Sequence, residues 1–302
     1  MRLKSTSQKQ RQILHLSDQP MTTLSKLLLP ELCNQQFDYF GTDCLDLCLD
    51  KQLFTQWPHV IDYKHNSRGF RDNEWPQELE SAIWCLGDSF TAGLGSRFSH
   101  TWPQVLSTHS QHRVVNISMH GASNQWIARN ACDVYDLARP DNIVIMWSYP
   151  HRREDPNFEL SDLDRREHYT NCIVTEDYAD FDDCRKLVQT HCVDSNLIEF
   201  VIPNFMYCFE NSDWQNIRDA SWPELMPPSL DEFLKLDPII ITELQNLHNV
   251  DLDLVRLQYT LQPKILAGVI KIKYLDRARD GHHFDIITAD WVAKQAATRL
   301  RL

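Results

Sequence analysis

The stretch "WCLGDSFTAGLG", Trp84 to Gly95, decides how the chain is read. Three of the 8 glycines in 302 residues fall between positions 87 and 95, around a single serine. Just upstream, "AIWCL" is a continuous apolar run that ends in Gly87 and then Asp88-Ser89. Such a run fits a buried strand feeding a tight turn, with Ser89 presented at the strand's carboxyl end. Open α/β sheets keep their chemistry at that edge.

The same grammar recurs outward from this point. "HRVVNISM" is a second strand, ending near Gly121, and "NIVIMW", Asn142 to Trp147, is a third. A continuous apolar run of that length suits a parallel strand covered on both faces. "NLIEFVIPNFM", from Asn196, and "GVIKIKYL", from Gly268, supply a fourth and a fifth. Between the second and third, "QWIARNACDVYDLARP" places Ile127, Ala131, Val134 and Ala138 at helical spacing, and Pro140 closes it. The final helix, "ITADWVAKQAATRL", sets Ile287, Trp291, Val292, Ala296 and Leu300 on one face with Thr288 as its cap. Strands alternating with helices predict a three-layer α/β/α fold, a flavodoxin-like doubly wound parallel sheet.

Residues 1–80 precede this alternation and read as an N-terminal extension packing on a core of 81–302. The extension contains the helical-looking "MTTLSKLLLPELC" and then "NSRGFRDNEWP". Two insertions, about 151–195 and 209–262, follow the third and fourth strands and should emerge at the carboxyl edge. The first is acid-rich, and the second includes a short helix, "SLDEFLKL".

Composition narrows the function. At 35.5 kDa, 42% hydrophobic and 24% charged, the chain is ordinary for a globular protein. A net charge of -12 argues against nucleic acid as a partner, since phosphate binding draws on clustered Lys and Arg. No run approaches the length of a membrane span, and the first thirty residues lack the order of a secretory signal, which favours a cytoplasmic setting. The 9 cysteines are odd in number and scattered, as reduced thiols are. Cys44 and Cys48 have no matching pair at zinc-site spacing, so no metal is expected. Neither a phosphate loop nor a dinucleotide fingerprint follows the glycines, so no cofactor is expected. Thr91 stands where a Gly-x-Ser-x-Gly elbow would need its second glycine, against an α/β-hydrolase.

A serine at that edge needs a base, and the base needs a carboxylate. "RARDGHHFD" places Asp280 and His283 three apart just after the fifth strand. Asp280 could hold His283 in one tautomer while the other ring nitrogen takes the Ser89 proton. His282 is the alternative base.

"GDSFTAGLG", "NISMHGASN" and "DGHHFD" resemble blocks I, II and V of the SGNH (GDSL-type) hydrolases, in the family's order, and "NSRGFRDNE" is similar to a segment often found before block I. The resemblance implies a serine esterase acting on small acyl esters through an acyl-serine, with O-acetylated carbohydrate as one substrate class. It implies Ser89 as nucleophile, Asp280 and His283 as its partners, and the N–H groups of Ser89 and Gly121 as oxyanion donors. Block III departs from the family: "MWSYPHRRE" puts Pro150 where an oxyanion-binding Asn is usual. Ser148, Tyr149, His151, Arg152 and Asn124 are candidates to replace it. An acyltransferase on the same fold and a catalytically impaired glycan-binding module are the alternative expectations.

Overall fold

The computed structural model describes residues 27–152, 173–203, 205–206, 230–246 and 250–302. The basic start of the chain, most of the acid-rich stretch and the tract "DWQNIRDASWPELMPPS" lie outside them.

Two short strands, β1 (Gln36–Phe37) and β2 (Tyr63–Lys64), form a small antiparallel pair, with helix α1 (Lys51–Gln56) between them. The main sheet comprises β3 (Ile83–Gly87), β4 (Val114–Ser118), β5 (Asn142–Trp147), β6 (Asn196–Val201) and β7 (Ile270–Lys271). All are parallel, in the order β4-β3-β5-β6-β7. The chain starts at β3, builds one neighbour, then crosses over to build the other side. The order therefore reverses between β3 and β5, the switch point where such sheets bind ligands. Ser89 follows β3 and Ser148 follows β5.

Helices α2 (Ser89–Ala92), α3 (Trp102–Ser110), α4 (Asn124–Ala138), α5 (Val174–His191), α6 (Leu230–Phe233), α7 (Pro238–Asn246), α8 (Leu252–Ile265) and α9 (Ile286–Leu300) are the other α-helices among the described residues. Ile83 to Leu86 and Ile143 to Trp147 are all 0% exposed, so the central strands are covered on both faces. Each such large side chain contributes about 1.5–3 kcal/mol. The stripe expected on α4 is buried, and Arg139 ends that helix in a left-handed cap just before Pro140. Among the described residues no helix is long and apolar enough to cross a membrane.

Several details differ from the sequence reading. Around Leu27–Cys33 there is one 3-10 turn, Pro30–Leu32, rather than a helix, because Pro30 holds Leu29 out of the helical region. Leu27, Leu29 and Leu32 are nonetheless buried. The fifth strand shrinks to two residues, paired only with Phe200 and Val201. It lies at the sheet edge, where Lys271 and Lys273 disfavour further pairing. On α9 the buried stripe is Thr288, Ala289, Val292, Ala293, Ala296, Ala297 and Leu300, with Ile287 outside it at 57% exposed. The cap position belongs to Asp285, and Thr288 sits inside the helix, hydrogen-bonded to Asp276 and Leu275. Finally, α5 and α8 fall within the stretches read as insertions, yet they are the connections that carry the chain from β5 to β6 and from β6 to β7. Parallel neighbours require such crossovers. The acidic outer face of α5 hid its role.

Candidate active site

Asp88 opens α2 as its cap, accepting the Phe90 N–H at 3.0 Å, so Ser89 is the first residue of the helix. A first-turn N–H has no intrahelical acceptor, and that of Ser89 points out of the helix start. Gly93 ends this one-turn helix with φ +73°, a left-handed conformation that glycine adopts without strain. Gly95 serves a close approach: a Cβ there would lie 3.0 Å from Asp280 Oδ1. The cluster of glycines around one serine thus turns the chain sharply and lets the distant acid loop settle beside it.

Arg71, from the "NSRGFRDNE" segment, locks the far end of that turn. Its guanidinium donates to the carbonyls of Ala92 (3.0 Å), Gly93 (2.5 Å), Asp62 (3.0 Å) and Ser96 (2.8 Å). The adjacent Asp72 receives the Asn116 N–H of β4 (3.0 Å) and Arg113 (2.9 Å). Burial outweighs these partners and pushes its carboxyl up to about 6. The segment before β3 thereby ties the Ser89 turn to the neighbouring strand.

At the tip of the turn, Ser89, His283 and Asp280 form one chain of contacts. His283 Nε2 lies 2.8 Å from Ser89 Oγ, and His283 Nδ1 lies 2.6 Å from Asp280 Oδ2. All three are buried, with Asp280 at 0% exposed. A carboxylate accepts only, so Nδ1 carries the hydrogen and Nε2 is left to accept from the serine hydroxyl. The other carboxylate oxygen, Oδ1, accepts the N–H groups of His282 and His283, each at 3.0 Å. Burial alone would raise this carboxyl, but the charge and hydrogen bonds of His283, with His282 nearby, hold it well below the usual carboxylate range. Both rings pack on Phe90, His283 at 4.5 Å and His282 at 5.4 Å between centroids, while the contact with the Ser89 hydroxyl is made by His283.

Gly121 lies in the turn after β4 with φ +73°. Two of the five residues named from sequence as stand-ins for the block III Asn, Asn124 and Ser148, have their side chains committed elsewhere. The Asn124 amide donates both hydrogens, to the carbonyls of Ser148 and Tyr149 at 3.1 Å each, while its oxygen accepts the Ser148 N–H at 2.8 Å. The single Ser148 hydroxyl hydrogen goes to Asp88 Oδ2 at 2.7 Å. Neither has a hydrogen left for an oxyanion in this arrangement. Asn124 instead laces the β5 loop to the start of α4.

Sequence reasoning missed the partner of Asp88. Arg152, 2% exposed, folds back over the switch point and donates to both Asp88 Oδ2 and Ser148 Oγ at 2.8 Å. A buried acid immediately before the serine requires such a cation, and the Asp in "GDS" was the available signal.

No protein-family model matches this chain, and no curated protein matches it. Many solved structures that do match are GDSL/SGNH lipases and esterases. A protein of Bacteroides ovatus described as a GDSL-like lipase is 15% identical over 76% of this chain, with TM-score 0.39, and this chain spans 56% of its length. The psychrotrophic esterase EstA of a Pseudoalteromonas species is 13% identical, covering 73% of this chain and 97% of its own, with TM-score 0.38. A family two carbohydrate esterase of Clostridium thermocellum, solved with cellohexaose, is 11% identical, covering 76% of this chain and 66% of its own, with TM-score 0.40. Likenesses this weak carry no weight for reaction or substrate.

Proposed function

We propose that the protein is a serine esterase of small acyl esters. The observation that carries this reading is the relay from Asp280 Oδ2 through His283 to Ser89 Oγ, at 2.6 and 2.8 Å, placed at the switch point of a parallel sheet. Only the nucleophile–base–orienter arrangement gives these three residue types a joint chemical task.

In the proposed reaction Ser89 Oγ attacks the ester carbonyl as its proton passes to His283 Nε2. The carbonyl oxygen gains the negative charge and is met by the N–H groups of Ser89 and Gly121. Collapse of the tetrahedral adduct breaks the bond to the alcohol, which takes the proton from His283 and leaves. Water then attacks the acyl-serine with His283 again as base, releasing the acid and restoring Ser89. Asp280 stays ionised throughout and stabilises the imidazolium. O-acetylated carbohydrate is the substrate class to examine first, beside short-chain aryl esters.

The test is intact-protein mass after incubation with a fluorophosphonate. A single adduct on the wild type and none on Ser89→Ala supports the reading. No adduct on folded wild type sinks it.

A further inference from the structure

Asp280 is held from outside its own loop. Thr42 Oγ1 donates to Asp280 Oδ2 at 2.8 Å across a sequence separation of 238, onto the same oxygen that takes His283 Nδ1. Thr42 is 7% exposed and Asp280 0%, so the bond is buried. The neighbours of both residues are also joined. Asp43, 0% exposed, pairs with two guanidinium nitrogens of Arg279 at 2.8 and 2.5 Å. It also accepts the Tyr63 hydroxyl at 2.5 Å, and the Tyr63 oxygen in turn receives the Gly95 N–H at 2.8 Å. A few residues on, the Leu49 N–H donates to the Asp280 carbonyl at 2.8 Å.

These bonds divide the work of fixing one carboxylate. The loop 280–283 supplies two N–H donors to Oδ1 by itself. An anchor at Oδ1 alone leaves the carboxylate plane free to turn about that side. Thr42 restrains Oδ2, the oxygen that must stay against His283. With four donors on two oxygens the buried anion is fully satisfied, and no water is needed.

We infer that Thr42 is a positioning residue for the proposed triad, and that the segment 41–50, which reads from sequence as part of an extension, belongs to the active site. The inference rests on the esterase reading for its consequence in turnover, and on geometry alone for the Thr42–Asp280–His283 linkage.

The experiment compares wild type with Thr42→Val, which keeps the shape and removes the hydroxyl, and Thr42→Ser, which keeps the hydroxyl. Three quantities are read: the ring ¹⁵N shifts of His283, which report which nitrogen holds the hydrogen; the rate of fluorophosphonate labelling; and the unfolding midpoint. Thr42→Val should label about tenfold more slowly, the scale of losing one hydrogen bond to a charged group. It should also move the His283 shifts toward a mixture of tautomers, while Thr42→Ser stays near wild type in both. Thr42→Ala repeats the comparison if the valine disturbs packing. A lower unfolding midpoint with unchanged His283 shifts and labelling would make Thr42 a merely structural donor and overturn the inference. If wild type takes no label, the esterase reading fails, and the ¹⁵N shifts still decide the linkage.

Discussion

Glu199 and Asp280 are buried carboxylates that each accept four hydrogen bonds, and of these two only Asp280 lies at a candidate site. Glu199, in β6, accepts from Trp147 Nε1 (2.9 Å), Arg185 Nε and a terminal guanidinium nitrogen (2.8 Å each), and Gln189 Nε2 (3.0 Å). Asp280 accepts from Thr42, two backbone N–H groups and His283. Every donor at Glu199 keeps its hydrogen throughout the working pH range. One donor at Asp280 is an imidazole whose far nitrogen meets a hydroxyl. Satisfied burial is therefore scaffold physics in both places. What distinguishes Asp280 is a donor able to lose and regain a proton.

The largest predicted effect breaks the relay and leaves the scaffold. Ser89→Ala and His283→Ala should each lower ester turnover by about 10³- to 10⁶-fold, and the double variant should fall little further, because the residues act as a unit. The unfolding midpoint of Ser89→Ala should stay close to wild type, whereas that of His283→Ala should fall, because buried Asp280 loses its partner. Independent, multiplying losses in turnover would contradict the relay.

Arg185→Met makes the reverse cut. It removes the guanidinium that pairs with Glu199 and also holds the carbonyls of Ile265 and Ala267, leaving a buried charge with two neutral donors. The expected cost is about 3–5 kcal/mol of stability, measured by denaturant unfolding, with turnover per folded molecule unchanged. A variant that folds as well as wild type but turns over slowly would mean that the two carboxylates are not separable in this way.

A smaller effect concerns pH. The carboxyl of Asp280 is lower in the folded chain than in the unfolded one. Its contribution to stability is therefore present above the ordinary Asp value of about 4 and is lost as pH falls below it. Between pH 5 and 3 the unfolding midpoint of wild type should fall more steeply than that of Asp280→Asn. Equal slopes would show that the pair with His283 contributes no stability of its own.

The strands and the two ends of the relay were legible because each is written locally, although the ends themselves lie 194 residues apart. Continuous apolar runs marked β3, β5 and β6, and the Asp-x-x-His spacing marked one end of the site while the glycine-flanked Ser89 marked the other. The elements that were misread depend on long-range partners. The acidic residues of α5 suggested a surface insertion, since nothing nearby in sequence shows that Arg185 turns inward to Glu199. Thr42 had no signal at all, its partner being 238 residues away. The Asn124 and Ser148 side chains looked available as oxyanion donors because their type was right, while their hydrogens were already placed on Ser148, Tyr149 and Asp88.

The smallest predicted effect separates two adjacent histidines. His282 and His283 are 4.8 Å apart between ring centroids and nearly perpendicular, at 85°, and it is His283 Nε2 that lies 2.8 Å from Ser89 Oγ. His283 faces Ser89; His282 packs on Phe90, and its carbonyl accepts the Tyr274 hydroxyl at 3.0 Å, a backbone contact that any residue can make. Removing the His282 ring deletes packing against Phe90 and one nearby positive charge when protonated, but no step of proton transfer. His282→Ala should keep turnover within about threefold of wild type, since no acid–base contribution of the usual 10²- to 10⁴-fold is lost. Assays of the two alanine variants side by side settle the assignment: if His282→Ala is the inactive one, the base is His282, and the contact between His283 and Ser89 belongs to the scaffold as the Glu199 bridge does.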